Sequence, residues 1–200
     1  MLGEDLHALT LGQQHGVIVG DDRILYASDG GDSWALAPVG SFALRGVADD
    51  GESMWAVGLG GAMLRSDDAG ASWVEIESPT QADLWAIGHA GVDVEAGLFA
   101  IGDAGTILRH ESSDWVAIDH DLDGDLRGLG GNFMVGSEGL VIAIELEEGS
   151  APQRYLELGR DPARGDLWDV VDDLAIGDGS RLTTIQNDWV SETPKPFCTP

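Results

Sequence analysis

A unit of about forty residues runs through this chain five times, and a fixed period of that size leaves few folds open. Three anchors define the unit. The first is a leucine at Leu6, Leu44, Leu84, Leu126 and Leu167, in steps of 38, 40, 42 and 41 residues. In four units an aspartate precedes it: Asp5, Asp83, Asp125 and Asp166. The second is an apolar run ending in glycine, at 17–20, 55–58, 99–102, 133–136 and 174–177. The third is another apolar run, a polar turn and a tryptophan, at Trp34, Trp73, Trp115 and Trp189, with Tyr155 near the expected place in the fourth unit.

Each unit therefore offers four short apolar segments of Val, Ile, Leu and aromatic residues, separated by Gly, Asp and Ser. Segments of four to six residues suit strands and are too short for globular helices. Glycine supplies positive φ in the separators, and Asp or Ser bonds back to the backbone. Four strands per repeat make the blade of a β-propeller. The expectation is an all-β, single-domain fold over 1–200. Its five four-stranded antiparallel blades lie near 5–42, 43–82, 83–124, 125–165 and 166–200. Closure of the ring would rest on blade one packing against blade five.

Two units carry a sharp motif. Ser66, Asp68, Gly70, Ser72 and Trp73 read Ser-x-Asp-x-Gly-x-Ser-Trp, and Asp29, Gly31, Ser33 and Trp34 repeat it with Ala27 for the leading Ser. The Asp is expected to accept N–H bonds inside a turn, and the Gly to hold a conformation other residues resist. The Trp is expected to begin the fourth strand and fill the gap between blades. This motif resembles the Asp-box of bacterial-neuraminidase-type repeats. The whole unit, over roughly residues 6–190, is similar to the photosystem II stability/assembly factor-like propellers. The resemblance implies that the box is a structural turn, and those relatives commonly have more than five blades.

Thirty-six acidic residues against ten basic ones give a formal net charge of −26. Such acidity argues against nucleic acid and anionic membranes and favours cations or basic partners. Only Lys195 is a lysine, and Cys198 is the single cysteine, so no internal disulfide forms. No basic leader or membrane-length apolar stretch is present. The family resemblance keeps export or the cell surface open, with a signal peptide outside this sequence.

The residue after the anchor leucine gives His7, Arg45, Trp85, Arg127 and Trp168, five side chains expected at one level near the inner strands. Arg45 and Arg127 suit an acidic group, and Trp85 and Trp168 a peptide or a sugar face. The competing expectation is packing between blades, with the arginines paired to Asp83, Asp125 and Asp166. Alternate acids at Asp119, Asp121, Asp123 and Asp125 suggest a calcium loop, although the twelfth position is Gly130 and not Glu. A sialidase-like site needs a tyrosine nucleophile and an arginine cluster, and neither Tyr26 nor Tyr155 is suitably placed. The sequence thus points to a non-enzymatic scaffold for a protein or peptide partner, with a carbohydrate-binding lectin as the alternative and an Asp-box glycosidase third.

Overall fold

The computed structural model describes residues 5–12, 14–90, 97–145, 154–159, 165–171, 174–178 and 181–185. Blade one holds β1 (Leu6–Leu11), β2 (Gly16–Gly20), β3 (Arg23–Ala27) and β4 (Ala35–Leu36). Blade two holds β5 (Leu44–Asp49), β6 (Met54–Gly58), β7 (Met63–Ser66) and β8 (Val74–Glu75). Blade three holds β9 (Leu84–His89), β10 (Leu98–Gly102), β11 (Ile107–Glu111) and β12 (Asp114–Ala117). Blade four holds β13 (Leu126–Gly130), β14 (Phe133–Gly136), β15 (Val141–Glu145) and β16 (Arg154–Gly159). In blade five, β17 (Leu167–Val171), β18 (Leu174–Gly177) and β19 (Arg181–Thr184) form a three-stranded sheet among the described residues. The expected strand at Trp189, and Lys195 and Cys198, lie outside the described residues, as does the side chain of Tyr155.

Each sheet is antiparallel and runs in chain order, with the anchor leucine on its innermost strand. The inner strands pack side by side, β1 on β5 on β9 on β13 on β17. Period-two alternation gives every blade a leading face toward its predecessor and a trailing face toward its successor. In blade two, Val47, Ala56 and Leu64 form a directly paired leading row. They pack on Val17, Val19 and Ile24 of blade one. Ile87, Ala100 and Leu108 repeat the row on Val57 and Met63. Met134 and Ile142 repeat it on Ile101 and Ile107, and Val170 and Ala175 on Val135 and Val141. The core is thus a series of dry seams between sheets.

The expected packing of blade one on blade five is not found among the described residues. Leu9, Ile18, Leu25 and Leu36 make the leading row of blade one, paired strand to strand like the others. Leu9 is 56% exposed, whereas its counterparts Val47, Ile87 and Val170 are 8%, 8% and 2% exposed. At the other end Ile176 is 42% exposed, where Val19, Val57, Ile101 and Val135 are all at 0%. Among the described residues nothing covers Leu9 or Ile176, and these sheets show no closure.

Candidate functional site

One irregularity recurs in every blade. The pairing of the two innermost strands slips by one residue between Leu6 and Ala8, Leu44 and Gly46, Leu126 and Gly128, and Leu167 and Asp169. In blade three Leu84 and Ala86 pair with Gly102 and Ile101, which skips Trp85. The residues bulged out are His7, Arg45, Trp85, Arg127 and Trp168. A bulge removes a residue from the alternation and re-aims its side chain. The bulge also accounts for the glycine ending the second anchor. A Cβ on Gly58 would lie 2.2 Å from the Ala43 carbonyl oxygen, and one on Gly102 would lie 2.2 Å from that of Asp83. That same carbonyl accepts the first N–H after the second strand, at 2.9 Å from Leu59 to Ala43 and 2.9 Å from Asp103 to Asp83.

The structure brings three of the five side chains into one stack. The guanidinium of Arg127 lies 4.2 Å from the Trp85 ring centre, and that of Arg45 lies 5.9 Å from it. Carboxylates tie the stack down. Arg45 donates to Asp21 at 2.7 Å, and His7 lies 3.4 Å from the same oxygen. Arg127 donates to Asp103 at 2.9 Å and to Asp125 at 3.0 Å. The Trp85 indole N–H donates to Asp103 at 2.6 Å, and that of Trp168 to Asp178 at 3.0 Å. Trp168 stands apart from the stack, 49% exposed. The partners differ from those expected, because Arg45 takes Asp21 and Arg127 takes Asp103 as well as Asp125. Sequence reasoning missed Asp21, Asp103 and Asp178. Their signal was a Gly-Asp pair ending the second anchor in three units. The bond from Arg45 holds the Asp21 carboxyl below the usual range, against a smaller opposing push from desolvation.

Aspartates of the first anchor act as latches between blades. Asp83 accepts the Gly60 N–H at 2.7 Å, Asp125 that of Ala104 at 3.1 Å, and Asp166 that of Glu138 at 3.0 Å. Each donor belongs to the tight turn after the second strand of the preceding blade, where φ is 67°, 53° and 56°. Where Ala43 replaces the aspartate, Asp22 instead donates its N–H to the Phe42 carbonyl at 2.9 Å.

The motif turns lie at the other end of the blades. Asp68 accepts the Ser72 N–H at 2.8 Å and the Ser72 hydroxyl at 2.5 Å, and Ser66 donates to it at 2.8 Å. The buried Ser66 oxygen accepts the Gly70 N–H at 2.9 Å, and the Trp73 indole donates to the Gly70 carbonyl at 2.9 Å. Gly70 has φ 86°, and a Cβ there would meet Val17 of blade one at 2.4 Å. In blade one Asp29 accepts Ser33 N–H at 3.0 Å, and the Trp34 indole donates to Gly31 at 3.0 Å. Trp34 and Trp73 sit directly before the fourth strands. The bonds from Ser72 and Ser33 hold Asp68 and Asp29 below the usual carboxylate range.

A second cluster sits at this end between blades two and three. The ring centres of Trp55, His110 and Trp115 lie 4.6 to 5.5 Å apart, and Arg65 lies over Trp55 at 5.3 Å. Desolvation pulls the His110 imidazolium below its usual range, with nearby Asp50 opposing.

The acids Asp119, Asp121, Asp123 and Asp125 do not converge. Among the described residues, no three His, Cys, Asp or Glu side chains are placed to hold a metal ion together. Asp125 serves the latch and Arg127, and Asp119 lines a cavity of about 250 Å³ with Thr80 and His120.

Compared with described protein families, the chain matches none. The immune protein Tsi7 of Pseudomonas aeruginosa is 33% identical over 170 residues, covering 77% of this chain and 53% of that protein. The chain thus spans about half the length of the curated relative it matches. A structure of YCF48 bound to a D1 peptide superposes with a TM-score of 0.63 at 20% identity, over 92% of this chain and 64% of that one. An ancestral GH74 enzyme superposes with a TM-score of 0.60 at 12% identity, over 92% of this chain and 31% of that one. At those identities the likeness is one of propeller fold.

Proposed function

We propose that this chain is a non-enzymatic binding protein, and that its partner is a protein or peptide held where the bulges project. The recurrent bulge carries this reading. In all five blades the strand regularity is broken at the same place, and each time a large polar or aromatic side chain is turned out. Bulges re-aim side chains next to functional sites, and indole and guanidinium groups are the usual anchors of interfaces. Two of the similar proteins support this reading by their names, an immune protein and YCF48 bound to a D1 peptide, whereas the GH74 likeness is to an enzyme.

The chemistry at this end narrows the partner. Both arginines are already neutralised by Asp21, Asp103 and Asp125. A carboxylate ligand would have to displace those bonds, whereas a basic segment would meet Asp178 and the acidic surround of a chain with charge −26. Trp168 supplies an open indole face for an aromatic or cationic side chain.

The test is affinity capture of the partner from the native host, with the Trp168→Ala variant in parallel. Among the described residues the Trp168 indole bonds only to Asp178, at the surface, so its loss leaves the stack intact. Truncating an interface anchor removes more than about 2 kcal/mol, roughly thirtyfold in affinity. Raising the salt concentration should weaken capture of a basic partner. Equal capture by both proteins, or binding only on a glycan array, would refute the reading.

A further inference from the structure

We propose that Trp168 and Asp178 form a receptor for a guanidinium group, and that it takes an arginine side chain of the partner. This assignment rests on the reading that a protein or peptide is held at this end of the blades. Its ground is internal: the same arrangement of ring and carboxylate recurs in blades one and three, and there an arginine fills it.

The bulged residues alternate in kind. Odd blades turn out a ring, His7, Trp85 or Trp168, and each follows its second strand with an aspartate, Asp21, Asp103 or Asp178. Even blades turn out Arg45 or Arg127 and have Leu59 or Ser137 in place of the aspartate. In blade three one oxygen of Asp103 accepts both the Trp85 indole N–H at 2.6 Å and Nη1 of Arg127 at 2.9 Å. The guanidinium of Arg127 lies 4.2 Å from the centre of that ring. In blade one a single oxygen of Asp21 accepts Nη1 of Arg45 at 2.7 Å and lies 3.4 Å from the His7 ring nitrogen. A ring and an arginine thus share one oxygen, and the arginine comes from the following blade.

Blade five repeats the receiving half of this arrangement. One oxygen of Asp178 accepts the Trp168 indole N–H at 3.0 Å, and the other accepts the Asp166 N–H at 3.1 Å. Among the described residues no arginine bonds to Asp178 or lies over Trp168, and the tryptophan is 49% exposed. A carboxylate oxygen has two lone pairs, so the one bonded to the indole has room for a second donor. The bond also holds the ring edge against the carboxylate, which sets the π face and the negative charge beside each other. An ammonium is a compact point charge. A planar guanidinium can lie on the ring and donate from its edge at the same time, as Arg127 does.

The approach to this receptor also differs from the filled ones. The register position after each bulge is Ala8, Gly46, Ala86 or Gly128 in blades one to four. Small residues are required there, because the next inner strand is close: a Cβ on Gly128 would lie 2.5 Å from the Asp169 Cα. In blade five the position is Asp169, which is exposed. It adds a second carboxylate on the side from which Arg45 and Arg127 reach their receptors. Arg127 itself is held by two acids, Asp103 and Asp125.

The experiment follows the tryptophan indole N–H signals of the isotope-labelled chain by NMR. N-acetyl-arginine amide is titrated in, and N-acetyl-lysine amide is titrated separately at equal ionic strength. The Trp168 signal, identified by its loss in Trp168→Phe, should shift and saturate with the arginine amide. Half-saturation should come at a concentration at least about fivefold lower than with the lysine amide. The Trp85 signal should stay in place, because Arg127 already fills its receptor. Asp178→Asn, which keeps an acceptor for the indole and removes the charge, should abolish the preference. A Trp168 signal indifferent to both amides, an equal response to both, or an Asp178→Asn chain that still prefers arginine overturns the assignment. Loss of the captured partner in Trp168→Ala beside such a result would leave the binding reading standing. A preferential arginine response beside undiminished capture would instead refute the reading that a partner is held here.

Discussion

Blades one and two are built from the same anchors, with strands of nearly equal length and closely matched motif turns. Blade two is buried on both faces, between Val17 and Val19 before it and Ile87 and Leu108 after it. Blade one is buried on its trailing face, whereas among the described residues its leading row is half-buried at Ile18 and Leu25 and exposed at Leu9 and Leu36. The same hydrophobic pattern thus has two energetic outcomes. An apolar row contributes to stability only when a neighbour removes it from water, and its presence in a strand says nothing about whether that happens. In a repeat fold the contribution resides in the seams.

The largest effect should separate the two anchor leucines. Leu44→Ala empties a fully buried site and should cost about 2–5 kcal/mol, whereas Leu6→Ala should cost less than about 1 kcal/mol. Denaturant unfolding of the pair measures both, and equal losses would mean that the face of blade one is covered in solution.

A smaller effect should distinguish the two turns. Ser66→Ala leaves the buried Gly70 N–H without its acceptor, a loss of about 1–2 kcal/mol. Blade one already has Ala27 in this place, so Ala27→Ser tests whether its turn gains from the same bond. No change in melting temperature for Ser66→Ala would show that the turn is held by Asp68 alone.

The smallest effect is a pH dependence in two windows. His110 binds its proton more weakly folded than unfolded, so its contribution is complete above 6.5 and is lost as the pH falls below that value. Asp68 and Asp29 are held below their ordinary 3.8, so their contribution is present above 3.8 and disappears as the pH falls through the folded values. His110→Phe should flatten the first window only. Asp68→Asn should flatten the second more than Asp29→Asn, because Ser66 adds a bond only in blade two. A pH profile identical in all four proteins would place the sensitive groups elsewhere.

The strands and their order were legible because period-two runs between turn residues recur at fixed spacing. Leu64 and Leu108 could be recognised as core from their own neighbours in sequence. Closure was not legible. Whether Leu9 is buried depends on a surface that Leu9 does not encode. The level of the five bulged residues could be read from the repeat, but the bulge itself could not, since His7, Arg45 and Trp85 share no chemistry. Their partners Asp21 and Asp103 come from the adjacent strand end, and only the three-dimensional pairing shows that one carboxylate serves both Trp85 and Arg127. The acids from Asp119 to Asp125 looked like a metal loop because sequence records spacing and not direction.

The stack of Arg45, Trp85 and Arg127 has a consequence for how a partner would be met. Trp85 lies between two guanidiniums, its N–H is committed to Asp103, and both arginines are tethered to carboxylates. Three large side chains from three blades are therefore each held by a carboxylate in the unbound chain. Ordering a long side chain at an interface costs roughly 0.5–1.5 kcal/mol, and here that cost is met during folding. A partner held at the proposed site would meet these pre-ordered side chains, with the exposed Trp168 beside them.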